Sequence, residues 1–137
     1  VSSAASDVYK RQRSFDLTKN LFVIGRVLIG VYFLLPGLAK ILLFSDNLSV
    51  VISKGVPFRS FSLSLIAVTQ IVCGIWIIFG KNIKVSSISL VITTLLINFY
   101  IHDFWNLKGS PDQGHEIQNF VKNLGILAGL LILSKEK

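Results

Sequence analysis

The sequence predicts an all-α integral membrane protein, a four-helix bundle with both termini in the cytoplasm. Four apolar stretches carry that expectation, Leu21–Phe44, Ser62–Gly80, Val85–Trp105 and Ile117–Leu133, each close to the ~20 residues a helix needs to cross a bilayer. None has the charged outer stripe that a helix of a soluble bundle would show. The 137 residues are 52% hydrophobic, with a mean hydropathy of +0.66. A chain of that size and composition has room for one compact bundle.

Ahead of the first span, Val1–Gln12 (VSSAASDVYKRQ) differs in composition from everything that follows and lacks the apolar core of a signal peptide. It reads as a non-native, adapter-derived segment, which leaves residues 13–137 as the membrane domain. The formal net charge of +7 would suggest nucleic acid in a soluble protein. Here the basic residues sit mostly between and beyond the spans, and they set orientation instead. Lys10, Arg11, Arg13, Lys19, Lys81, Lys84, Lys135 and Lys137 fall on one side, against Lys54, Arg59 and Lys108 on the other. The richer side is expected to face the cytoplasm.

Span one places Arg26, Gly30, Phe33, Gly37 and Lys40 at steps of four, three, four and three, which stacks them on one helix face. The glycines admit a neighbouring helix closely, and the two cations lie about 21 Å apart along the axis, toward opposite membrane surfaces. Pro36 removes one backbone hydrogen bond and is expected to kink the helix before Lys40. Simple snorkelling of both cations to the headgroups is the alternative to an inward role. The loop after this span, Ser45–Phe61, contains Gly55-Val56-Pro57 and reads as turn-rich and too short to fold separately.

Span two carries Gln70 near its middle, with Thr69 beside it; hydrogen bonding across helices is the default use of such groups. Its Cys73 is the single cysteine, so the chain alone can build neither a disulfide nor a redox dithiol. Lys81-Asn82-Ile83-Lys84 is a tight turn that makes spans two and three a helical hairpin.

Span three brings Asn98 and His102 one turn apart, followed by Asp103, with Tyr100, Phe104 and Trp105 forming an interfacial aromatic belt. His102 can exchange a proton near neutral pH. A metal set drawn from His102, Asp103, His115 and Glu116 has no compact ligand spacing, and no haem-attachment motif is present, so neither metal nor haem is expected. Span four opens on Asn119, Lys122 and Asn123, a polar face, and continues through Gly125-Ile126-Leu127-Ala128-Gly129. That GxxxG pattern serves close helix contact, within the bundle or in a homo-oligomer.

Lys40, His102, Asp103 and Lys122 therefore fall at one depth near the outer surface, with Asp103 expected between the two lysines. The functional polar cluster is taken as Arg26, Lys40, Gln70, His102, Asp103, Lys122 and Asn123, with Gly30, Gly37, Gly125 and Gly129 as packing positions. Polar groups within spans are costly and so point to function, although a purely structural ion cluster has the same composition. The surplus positive charge suits an anionic or carbonyl-bearing ligand.

Together, Arg26-x-x-x-Gly30 with Phe33, Gly37 and Lys40, the Lys54-Gly55-Val56-Pro57 loop, Gly74 and Gly80, His102-Asp103-Phe104-Trp105 and Gln118-Asn119-Phe120-Val121-Lys122-Asn123-Leu124 resemble the DoxX family of small four-helix bacterial membrane proteins. The resemblance covers nearly everything after Phe15. It implies a multi-pass protein of the bacterial inner membrane. Relatives include membrane subunits resembling those of thiosulfate:quinone oxidoreductases, partners of thiol-handling oxidoreductases, and the surfeit-type cargo receptors of eukaryotes. The family often has a glutamate where this chain has Gln70, which removes a titrating group from that position.

The function this implies is a membrane subunit of an oxidoreductase complex, quinone- or thiol/sulfur-linked, with no redox centre of its own. A quinone is a possible ligand, and the redox cofactor would belong to a partner protein. The alternative is a non-enzymatic scaffold or receptor for another protein. Transport of a small anion is weaker, since four helices make a thin wall. Beyond the lipid bilayer and such a partner, no nucleic acid is expected.

Overall fold

The computed structural model describes residues 2–137, without the side chain of Ser2; Val1 of the adapter-like segment lies outside the described residues. These residues are helical, with no strand among them. Helix α1 is Ser2–Leu42, α2 Phe44–Ser53, α3 Arg59–Phe79, α4 Ile83–Tyr100 and α5 Gln113–Leu133, and a short 3-10 turn, Phe104–Asn106, lies between α4 and α5. Four of these, α1, α3, α5 and α4 with its extension to Asn106, are long and apolar enough to cross a membrane. The four expected spans are these helices, and the chain is a multi-pass membrane protein.

At 41 residues, α1 is about 60 Å long, twice the hydrocarbon thickness. Its first half, Ser3 to Gly25, is exposed throughout and makes only local side-chain bonds, Gln12 to Asp16 and Thr18 to the Ser14 carbonyl. The helix continues through Pro36. From Arg26 onward it packs along α3, α3 packs on α4, α4 on α5, and α5 meets α1 more sparsely, closing the ring. Phe33, Cys73, Ile77, Leu90 and Leu130 fill the centre.

Glycine sets the tightest contact in the bundle. A Cβ at Gly30 would lie 2.8 Å from the Gly74 carbonyl oxygen, and one at Gly74 2.9 Å from the Gly30 carbonyl oxygen. Only hydrogen at both positions lets these two backbones meet. Gly80 ends α3 in the left-handed region at φ 73°, with its N–H on the Ile77 carbonyl and the next N–H, from Lys81, on Trp76. Such a turn satisfies carbonyls the helix end leaves free.

The loops depart from expectation in two places. The segment after span one contains a ten-residue helix, α2, whose Val51 is buried and Leu48 half-buried, so one apolar face at helical spacing secures it against the bundle. Span three stops at Tyr100 rather than Trp105. There the His102 N–H reaches back to Ile97, and the chain re-forms as the 3-10 turn. Phe104 seats that turn on α5, its ring edge-to-face with Phe120 at 5.3 Å between centroids.

Candidate functional site

Thr94, Asn98 and His102 follow one another at steps of four on and just beyond α4, which turns all three toward the bundle interior. Asn98 is 1% exposed. Its carboxamide oxygen accepts from Asn123 at 2.8 Å, and its amide donates to the Phe120 carbonyl at 3.2 Å. Asn123 in turn accepts from the Tyr32 hydroxyl at 3.1 Å. This chain of three side chains ties α1, α4 and α5 together across the membrane interior.

Beside that network lies a cavity of about 200 Å³ lined by Tyr32, Phe33, Pro36, Lys40, Gln70, Thr94, Ile97, His102, Lys122 and Asn123. Each long helix contributes to it. Gly37 brings α1 down onto Gln70 of α3, since a Cβ there would stand 3.0 Å from the Gln70 Cβ. Gln70 and Thr94 are each 3% exposed, yet the Gln70 carboxamide oxygen and the Thr94 hydroxyl have no hydrogen-bond partner. A buried polar atom without a partner costs about 1–3 kcal/mol. A bound polar molecule would relieve both.

The cavity wall is positively charged. Lys40 and Lys122 line it, and among the described residues neither is within ion-pair distance of a carboxylate. No Asp or Glu is in the lining. His102 stands at the wall with Nδ1 2.5 Å from the Glu116 carboxylate in the first turn of α5. An acceptor-only carboxylate at Nδ1 suits the tautomer with the proton on Nδ1, which leaves Nε2 for a cavity ligand.

Of the seven residues read as one polar cluster, the fold brings five to this cavity: Lys40, Gln70, His102, Lys122 and Asn123. Asp103 is turned elsewhere. It pairs with Lys54 at 2.6 Å and accepts from the Asn106 amide at 3.0 Å, because the helix has already ended and the following turn swings it toward the α2–α3 loop. The expected placement of Asp103 between Lys40 and Lys122 is corrected accordingly. Arg26 lies at the opposite end, where its guanidinium donates to the Ile77 carbonyl at 2.9 Å and packs against Gly80. A cation at a helix C-terminus is stabilising there.

Gly30 and Gly37 are at close helix contacts. A Cβ at Gly125, by contrast, would meet nothing within 4 Å, and one at Gly129 only the Ile29 side chain at 3.5 Å. The GxxxG pattern thus leaves Gly125 on the outside of this single chain. Among the described residues, no three of His, Cys, Asp and Glu gather where a metal could bind. Cys73 lies in the apolar core and is not part of the cavity lining. The sequence reading missed Tyr32 and Thr94, and it grouped Glu116 with His102 only as a metal set, not as a hydrogen-bonded pair. The four-residue step from Thr94 through Asn98 to His102 was the available signal for the second, whereas nothing local links Glu116 to His102.

The DoxX family model matches residues 21–103, which runs from the first span to the end of the third. The chain belongs to the DoxX family. A relative is Inner membrane protein YphA of Escherichia coli strain K12, 24% identical over 114 residues, covering 83% of this chain and 81% of that protein. No solved structure matches this chain. In this DoxX protein the family match covers the cavity residues of spans one to three, while Lys122, Asn123 and Glu116 lie beyond it.

Proposed function

We propose that this DoxX protein is an inner-membrane subunit of an oxidoreductase complex, whose cavity holds a ligand with acceptor oxygens while a partner protein supplies the redox centre. The observation that carries the reading is the cavity itself: Lys40 and Lys122 without carboxylates, joined by His102, and the buried Thr94 hydroxyl without a partner. Ammonium and hydroxyl donors of this kind suit a quinone carbonyl or an oxygen-bearing sulfur substrate. The cavity lining contains no thiol and the chain a single cysteine, so electron transfer would use a partner or a bound cofactor. Inner-membrane location is supported by the name of the E. coli relative.

A second reading, a scaffold or receptor without catalysis, is favoured by one observation, the open surface at Gly125 on α5. Native purification in mild detergent separates the two. A co-purifying flavin- or thiol-bearing protein with quinone-dependent activity, lost in Lys40→Gln/Lys122→Gln, supports the oxidoreductase subunit. A redox-inactive partner retained by that double variant overturns it.

A further inference from the structure

The geometry points to His102 and Glu116 as a proton-exchanging pair serving the cavity: His102 Nε2 takes a proton from a ligand O–H, and Glu116 positions the ring. The inference rests on the reading of the cavity as a ligand site and adds a ligand class to it, one whose oxygen gains or loses a proton, as a quinol does. Three features of the structure carry it. His102 is part of the cavity wall. Its Nδ1 is held by Glu116, the two side chains being 18% and 19% exposed. Nε2 has no hydrogen-bond partner among the described residues, and a carboxylate at Nδ1 suits the tautomer in which Nε2 is the basic nitrogen.

The charges around the ring are arranged to keep that pair intact. On its own segment Asp103 is engaged by Lys54 and Asn106 and so does not compete for the imidazole. From α1 and α5 the cavity receives Lys40 and Lys122, both cationic, and α3 contributes the neutral Gln70. Glu116 is therefore the one carboxylate bonded to the ring, and it balances the charge of the imidazolium when it forms. The step is a proton transfer: the ligand O–H bond breaks, the Nε2–H bond forms, and the electron pair stays on the ligand oxygen. The oxygen anion is left beside two lysines, which favour it. The partial exposure of both members then lets the proton leave to water at this end of the bundle. His102 is the catalytic residue in this account and Glu116 its positioning residue.

The test uses the full chain in lipid nanodiscs with isotope-labelled histidine, and duroquinol as the probe under anaerobic conditions. The chain has two histidines, His102 and His115, so the imidazole nitrogen spectrum is readily assigned by His115→Gln. Saturating duroquinol should move the Nε2 resonance of His102 and leave that of His115 in place. Glu116→Gln should lose the tautomer preference of His102 together with the duroquinol-induced shift, and Glu116→Asp should restore both. Duroquinol retained in equilibrium dialysis with an unmoved His102 resonance overturns the proton relay while leaving the ligand site standing. An unchanged tautomer and shift in Glu116→Gln overturns the positioning role. No retention of duroquinol by the wild-type chain overturns the quinol class, whereas the broader reading is overturned only by a redox-inactive co-purifying partner that the Lys40→Gln/Lys122→Gln variant retains.

Discussion

Lys54 donates to Asp103 across 2.6 Å, joining the turn after α2 to the residue that follows the end of α4. Both side chains are about four-fifths covered, at 21% and 15% exposure, so the pair is less screened than a surface ion pair. We expect Lys54→Gln and Asp103→Asn each to lower stability by about 1 kcal/mol, with the double variant no worse than either single. Asp103→Asn combined with Lys40→Gln or Lys122→Gln should be additive within about 0.5 kcal/mol. Thermal unfolding in detergent at fixed lipid content measures all of these. Strong coupling of Asp103 to Lys40 would return it to the cavity.

The crossing of α1 and α3 gives a second expectation. Gly30→Ala and Gly74→Ala each force a methyl within 3 Å of a backbone oxygen on the facing helix, and overpacking of this kind costs about 1–3 kcal/mol. Gly25→Ala, where a Cβ would meet nothing within 4 Å, is the control and should not destabilise. Comparable melting of all three variants would show that the two helices do not approach as closely as described.

How legible this site was in the sequence depends on whether a residue sits on a regular helix. Gly30, Phe33, Gly37 and Lys40 share a face because α1 keeps its period through that region, and helical spacing alone predicts as much. Gln70 and Asn123 were readable for another reason, that a polar side chain within an apolar span turns inward, whereas Lys122 lines the cavity from an exposed position. Asp103 was misplaced because the residue before it leaves the helix, and a helical projection has no meaning past that point. Glu116 and Lys54 lie 14 residues after His102 and 49 before Asp103. Their partnerships depend on how separate helices and loops meet, which no local period records. The α2 helix was hidden by its short length and by the Gly55-Val56-Pro57 turn beside it.

The Asn98–Asn123 pair should matter more than its size suggests. Asn98→Leu removes the acceptor for Asn123 and the donor to Phe120, and interhelical hydrogen bonds in membranes contribute about 0.6 kcal/mol on average and up to about 1.7. A loss of about 1–2 kcal/mol is expected for Asn98→Leu, and less for Tyr32→Phe, which removes the single bond at 3.1 Å. Asn98→Leu with Asn123→Leu should recover part of the loss, since no orphaned partner remains between them. Unfolding of the two singles and the double by denaturant in detergent decides it; a double that is fully additive would mean the two carboxamides do not interact.

Orientation is the remaining expectation, and the cavity gives it consequence, because His102 and Glu116 open at the end of the bundle that carries α2 and the 3-10 turn. The loops at that end hold Lys54, Arg59 and Lys108, against Arg13, Lys19, Lys81, Lys84, Lys135 and Lys137 at the other even when Lys10 and Arg11 are set aside. An excess of Lys and Arg in short loops is expected on the cytoplasmic side, and the cavity mouth is then expected outside. A phosphatase active only outside the cytoplasm, inserted at Ser110, should then be active, and the same reporter fused after Lys137 should be silent. The reverse pattern would put the mouth in the cytoplasm. Protons exchanged through His102 and Glu116 would then pass to the cytoplasmic compartment instead of the outer one.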